Sequence, residues 1–246
     1  MIFNYTQFIN EKSYTHKNLS ERFWNDYEFD DSVRKKLIKL SKDFFEGLGL
    51  DFEIEDVKLT GSLCNFNYTD HSDLDVHIIV NFENYDDDKE VLRELLRSKS
   101  FIWNLKHDIN IRGADVEMYV QDINEDHKST GLFSLLNNEW AKKPEYTDPE
   151  VDENDIKDKY NRWAYTIEKL ESGLNDKTLS TEDYEDYYKK IEQLKKKLLT
   201  ARKKGLHEGK GEYSVENIVY KKLRNNKYVD KLFDLGYETY DNIFSQ

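Results

Sequence analysis

The spacing of hydrophobic positions changes several times along the chain, and each change marks an element. Val33, Leu37, Leu40, Phe44 and Leu48 recur at helical spacing, with Asp30, Asp31 or Ser32 placed as N-cap and Gly47 and Gly49 as a stop. The stretch Val57–Thr60 predicts a strand, and Val76-His77-Ile78-Ile79-Val80 is a second run of strand length. Val91, Leu92, Leu95 and Leu96 predict a helix. Asp108–Ile111 and Ala114–Gln121 flank Arg112-Gly113, a turn signal, and predict a β-hairpin. In its second arm Val116, Met118 and Val120 share one face, while Asp115, Glu117 and Tyr119 share the other. The order helix, strand, strand, helix, hairpin predicts an α+β class, a small mixed β-sheet covered by helices.

After Val120 the pattern changes. His127-Lys128-Ser129-Thr130-Gly131 precedes Leu132, Phe133, Leu135 and Leu136, which predicts a loop leading into a helix capped by Ser129 or Thr130. Pro144 and Pro149 are the two prolines of the chain and stand among Glu145, Asp148, Glu150 and Asp152, the composition of a linker. Beyond them the period is helical to the end. Ile156, Tyr160, Trp163, Ile167 and Leu170 predict one helix, and Tyr184, Tyr187, Tyr188, Ile191, Leu194, Leu198 and Leu199 a second that ends before Gly205. Gly205 to Gly211 reads as a loop, followed by two short terminal helices. The expected organisation is an α/β domain over 1–143, with 1–29 as an N-terminal extension, a linker over 144–154 and a C-terminal helical module over 155–246.

Charge sharpens that division. Residues 1–150 carry 18 Lys+Arg against 31 Asp+Glu, whereas 151–246 carry 19 of each. The acidic first part argues against long, nonspecific DNA, since neutralising phosphates needs clustered Lys and Arg. Within the second part, Lys195 to Lys231 holds 12 basic residues and four acids. That tract suits a triphosphate or an RNA, and equally a solvated helix face; Lys221 and Lys222 are its candidate contacts, with Arg224 and Lys227 beside them. No apolar run approaches the roughly 20 residues that span a bilayer, and Met1-Ile2-Phe3-Asn4-Tyr5 lacks the character of a secretory signal. A single cysteine, Cys64, excludes an internal disulfide and fits a reducing, cytoplasmic setting. It reads as a small packing residue.

The candidate chemistry lies at the first two strands. Gly61-Ser62 follows the Val57–Thr60 strand, and Ser72-Asp73-Leu74-Asp75 leads into the second. Alternation along a strand puts Asp73 and Asp75 on one face. Two carboxylates on one face make a place for a hard divalent cation such as Mg²⁺. Gly61 lets backbone approach a bulky anion, and Ser62 offers an N–H and a hydroxyl to phosphate oxygens. His127 and Lys128, past the later strand, are placed to touch phosphates as well, against the alternative that they belong to a plain loop.

Gly61, Ser62, Asp73 and Asp75 in this arrangement resemble the nucleotidyltransferase superfamily of the DNA polymerase beta type, over roughly residues 30–125. The family pattern adds a third acid on a later strand. The stretch Gly113-Ala114-Asp115-Val116-Glu117-Met118-Tyr119-Val120 has that character, with Glu117 as the match and Asp115 on the same face as the alternative. The resemblance implies a nucleotidyltransferase core followed by an appended helical module. It implies an enzyme that moves a nucleoside monophosphate from an NTP, such as ATP, to an acceptor hydroxyl and releases pyrophosphate. Asp73, Asp75 and Glu117 would hold two Mg²⁺, with Mn²⁺ as a substitute.

Gly61, Ser62, Lys128, Lys221 and Lys222 would contact the nucleotide. The acceptor could be RNA or tRNA, a protein, or a small molecule. A synthase of oligomeric or cyclic signalling nucleotides, and a non-catalytic binding protein on the same scaffold, are the alternatives. The segment Phe3-Asn4-Tyr5-Thr6-Gln7-Phe8-Ile9-Asn10-Glu11 resembles the start of some large-phage proteins, which would place the chain in a host cytoplasm.

Overall fold

The computed structural model describes residues 15–49, 53–85, 88–127, 129–176, 178–208 and 210–245. Lys128 and the phage-like segment Phe3–Glu11 lie outside the described residues. The chain divides into two compact units, Met1–Asp148 and Pro149–Gln246.

The first unit opens with a two-stranded hairpin, β1 (Trp24–Asn25) and β2 (Glu28–Phe29), then helix α1 (Asp31–Gly47), β3 (Asp56–Thr60), a 3₁₀ turn (Ser62–Cys64) and β4 (Leu74–Val80). Helix α2 (Lys89–Lys106), β5 (Asn110–Ile111), β6 (Ala114–Asp122), β7 (Leu132–Ser134) and β8 (Glu139–Lys142) follow. Strands β3 to β8 form one sheet in the order β5-β6-β4-β3-β7-β8. The β4–β6 pair is parallel and the others are antiparallel. The class is α+β, with a mixed sheet.

Alternation divides the sheet by chemistry. Val57 and Leu59, Leu74, Val76, Ile78 and Val80, and Val116 and Met118 are buried in one cluster with Val33, Leu37 and Phe44 of α1 and Leu92 and Leu96 of α2. Both helices begin on an aspartate: the Asp30 carboxylate accepts the Val33 N–H at 3.0 Å, and the Asp88 carboxylate accepts the Glu90 N–H at 2.8 Å. Asn104 of α2 pins β6 at one point. Its Nδ2 donates to the Met118 carbonyl at 3.1 Å, and its Oδ1 accepts the Met118 N–H at 2.9 Å. The side chain thus satisfies both backbone groups of the residue that follows Glu117.

The segment ahead of α1 is core as well. Leu19, Phe23, Trp24 and Phe29 are buried in the same cluster. Trp24 stacks on Trp140 of β8 at 4.6 Å between ring centroids and meets Phe133 of β7 edge-on at 5.2 Å. Those contacts explain a departure from the periodicity. Leu132, Phe133, Leu135 and Leu136 do not continue as a helix but run as β7 into a turn and then β8. Leu59 pairs with Phe133, Phe133 pairs with Trp140, and Asn138 turns the chain at φ 57°. A sheet edge lined by aromatic partners outweighs a short helical spacing.

The second unit is helical: α3 (Glu153–Leu174), α4 (Thr181–Glu208), a 3₁₀ turn (Gly211–Tyr213), α5 (Val215–Asn225) and α6 (Tyr228–Phe244). Its interior is made by Ile156, Ala164 and Ile167, by Ile191 and Leu198, by Leu223 and by Leu232. Helix α4 does not stop before Gly205 but continues through it. A Cβ at that position would collide with Ser214 and Glu216, so this glycine serves close packing rather than a loop. Among the described residues no helix is long and apolar enough to cross a membrane.

Candidate active site

The polar face of the sheet carries the candidate residues. Register sets Thr60 of β3 opposite Asp75 of β4, and Asp75 opposite Glu117 of β6. A single row across three strands therefore holds the end of the Gly-Ser strand and two carboxylates. Asp73 stands one residue ahead of β4, on the Asp75 side by alternation. Asp115 is exposed, outside the β4–β6 ladder, and its carboxylate accepts Asn110 Nδ2 at 2.7 Å. Of the candidates Asp115 and Glu117, Glu117 is the one set against Asp75.

Gly61 sits at φ 78°, in the region that favours glycine, and a Cβ there would overlap the Asp75 carboxylate. The turn and the acid thus occupy the same small space, and only glycine fits between them. Ser62 Oγ donates to Ser72 Oγ at 2.7 Å, and that same oxygen accepts the Thr69 N–H at 2.9 Å. This chain of contacts ties the turn to the loop that delivers Asp73. Trp24 Nε1 donates to the Leu63 carbonyl at 2.7 Å and holds the turn from the core side. Gly131 packs against the Cys64 carbonyl, again with no room for a side chain, and Asn65 Nδ2 donates to Thr130 Oγ1. Residues 129–131 are thereby laid against the turn.

Further along the same face, alternation repeats from the acids: Asp75 to His77 on β4, Glu117 to Tyr119 to Gln121 on β6. His77 is opposite both Tyr119 and Lys58 of β3. The Tyr119 hydroxyl donates to Glu117 Oε2. Burial, that hydrogen bond and the charges of Glu117, Asp75 and Asp73 hold the phenol proton more tightly than usual, which keeps Tyr119 a donor to Glu117. The same interactions place all three carboxylates within electrostatic reach of one hydroxyl.

His77 Nδ1 lies 2.7 Å from Gln121 Oε1. An amide oxygen only accepts, so with this amide orientation Nδ1 carries the proton. The orientation agrees with Gln121 Nε2 donating to the Glu125 carbonyl at 3.4 Å. Burial lowers the pKa of His77; burial, Lys58 and His77 lower that of His127, whose ring centroid is 6.3 Å from that of His77. Both shifts favour the neutral imidazole. Cys64 is fully buried, and burial with the nearby Asp75 charge pushes its thiol well up, so it is no nucleophile.

Lys221 and Lys222 lie on α5 in the second unit, where Lys222 is buried. Tyr119, His77, Gln121 and Ser72 were not singled out from the sequence. The signal for the first three was the i, i+2 alternation that continues past each acid. Among the described residues, no group of three or more His, Cys, Asp or Glu side chains is gathered to hold a metal ion. The donor chemistry of the row is nonetheless all oxygen, two carboxylates in register with a third beside them, which suits a hard divalent cation.

No family model and no curated protein matches the chain. Among solved structures it is similar to one described as the structure of STING-associated CdnE c-di-GMP synthase from Capnocytophaga granulosa, with 13% identity, over 92% of this chain and 89% of that one, at a TM-score of 0.23. A score of that size does not establish a shared fold.

Proposed function

We propose that the chain is a metal-dependent nucleotidyltransferase that moves a nucleoside monophosphate from an NTP to an acceptor hydroxyl and releases pyrophosphate. The observation that carries this reading is the row Thr60–Asp75–Glu117, with the Gly61 turn fitted against the Asp75 carboxylate. It combines a Gly-Ser turn and a pair of acids in one place, on the polar face of a sheet whose other face is core.

Asp73, Asp75 and Glu117 would hold two Mg²⁺, which when bound neutralise triphosphate charge and acidify the attacking hydroxyl. The protein's own contributions are positional. The Gly61-Ser62 turn presents backbone N–H groups and the Ser62 hydroxyl to phosphate oxygens. Ser72 fixes the spacing between that turn and Asp73. Tyr119 orients the Glu117 carboxylate, and Asn104 holds the strand that bears it. The supporting loop is clamped through Asn65, Thr130 and Gly131. Lys128 is proposed as a further phosphate contact.

The test is incubation with each α-labelled NTP and Mg²⁺, with and without cellular RNA and protein, beside Asp75→Asn. Label passing to an acceptor in the intact protein alone is the expected result. Absence of transfer with all four NTPs, together with absence of metal-dependent nucleotide binding, would overturn the reading.

A further inference from the structure

Helix α2 has two apolar faces, and only one of them is used by the core. Leu92, Leu96 and Ser100 are buried inward. On the outward side Val91 is 65% exposed, Leu95 42%, Ile102 48% and Leu105 75%, with Phe101 at 67% on their flank. Together with exposed Ser98, the positions 91, 95, 98, 102 and 105 alternate in steps of four and three. That is the a/d spacing of a coiled-coil seam, kept over two heptads, with Leu95 and Ile102 at a and Val91, Ser98 and Leu105 at d. Single exposed apolar residues are ordinary on a protein surface, whereas a contiguous stripe marks an association face.

We propose that this stripe is the interface of a parallel, in-register dimer between two copies of the chain. Charge selects both the occupant and its direction. In a parallel pair the g position of one helix faces the following e position of the other. Glu94 is at g and Lys99 at the next e, so two Glu94–Lys99 pairs form across the two-fold axis. Phe101 is at the following g and faces the Lys106 stem at e, an aromatic against a cation. In an antiparallel pair the e positions face each other instead, and Lys99 and Lys106 of one helix meet Lys106 and Lys99 of the other.

Lys99 is already positioned for the parallel arrangement. Its ammonium donates to the Leu48 carbonyl at 2.9 Å, which fixes the side chain on that flank, and an ammonium has three donors. Among the described residues Glu94 pairs with the exposed Arg97 at 3.0 Å, a contact of little worth. Ser98 meets its own copy on the axis, where two hydroxyls can exchange a hydrogen bond. Identical residues stacking layer on layer make the surface self-complementary, as a two-fold interface requires. The stripe lies on the α2 face turned away from the sheet, so the inference does not depend on the enzymatic reading.

The experiment is sedimentation equilibrium of the full chain over a wide concentration range, with Leu105→Glu and Glu94→Lys alongside, and disulfide trapping of Val91→Cys. The expected result is an average mass rising from 29.5 kDa toward twice that value. Leu105→Glu should remain monomeric with an unchanged circular dichroism spectrum, and Glu94→Lys should weaken the dimer at least tenfold. Val91→Cys should form a 91–91 disulfide on mild oxidation, because native Cys64 is buried and only a parallel pair brings position 91 onto its copy. A monomer at every concentration, a dimer indifferent to Leu105→Glu, or absence of the 91–91 disulfide would each overturn the proposal.

Discussion

Asp75 on β4 stands directly opposite Glu117 on the parallel strand β6. Parallel pairing between a strand and one some forty residues later places these two acids side by side on the polar face, although nothing in their local sequence brings them together. If the pair handles a metal-bound triphosphate, Asp75→Asn and Glu117→Gln each lower transfer by at least about 10²-fold, the scale of losing a preorganised charge-stabilising group. Asp115→Asn, outside the ladder and bonded to Asn110, retains activity within about threefold of the intact protein, far from the 10²-fold loss. Label transfer from α-labelled NTP separates Asp115 from Glu117.

Gly61→Ala is the most economical test of the turn. The left-handed φ of 78° and the overlap of a Cβ with Asp75 act together. The variant should lose more than about 1 kcal/mol of stability and most of its activity. Gly47, which has open space around its Cα and lies at the end of α1, is the control. Gly47→Ala should be no less stable than the intact protein in urea, and up to about 1 kcal/mol more so, with transfer unchanged.

Removing the Tyr119 hydroxyl leaves the Glu117 carboxylate without the donor that orients it. Tyr119→Phe should weaken Mn²⁺ binding about tenfold, the usual cost of losing an outer partner of a ligand, while the thermal midpoint moves little. Unaltered binding would show that the hydroxyl has no part in presenting Glu117.

Asp30 caps α1 and receives Ser32, Arg112 and the Val33 N–H. These contacts, the Ser32 hydrogen bond foremost, hold its carboxyl far below the ordinary value of 3.8. A carboxylate depressed on folding stabilises the protein above its unfolded pKa and loses that contribution as pH falls toward the folded one. Asp30→Asn should therefore melt lower than the intact protein at pH 7. The gap should close as pH drops below about 4. A gap independent of pH would contradict the assignment.

Trp24 joins the first hairpin to the Leu63 carbonyl within the Gly-Ser turn. Trp24→Phe leaves that buried acceptor without its donor, at a cost of about 1–3 kcal/mol. Chemical denaturation should show that loss.

The elements of α1, β3, β4, α2, the β5–β6 hairpin and the long C-terminal helices were legible, because each buries one face and so writes its period into the chain. The Gly61-Ser62 turn and the Asp73, Asp75 pair were legible from spacing alone. The β7–β8 edge was not, since Leu132, Phe133 and Leu135 mimic a helical step and their strand character comes from Trp24 and Phe29, distant in sequence, and from Trp140 across the hairpin. The length of α4 was misjudged at Gly205 because a glycine that admits a neighbouring helix looks, in sequence, like one that ends its own. Tyr119 and His77 were hidden for a different reason: their partners Glu117 and Gln121 are local or cross-strand, and only the register shows which side chains share the face.

We propose that the Asp75–Glu117 row binds a divalent cation with a nucleotide. The most direct measurement is electron paramagnetic resonance of Mn²⁺ titrated into the intact protein and into Asp75→Asn, with each NTP in turn. The intact protein should remove free Mn²⁺ in the presence of at least one NTP, and Asp75→Asn should bind it at least about tenfold more weakly. Equal binding by the two proteins, or none by either, would contradict it.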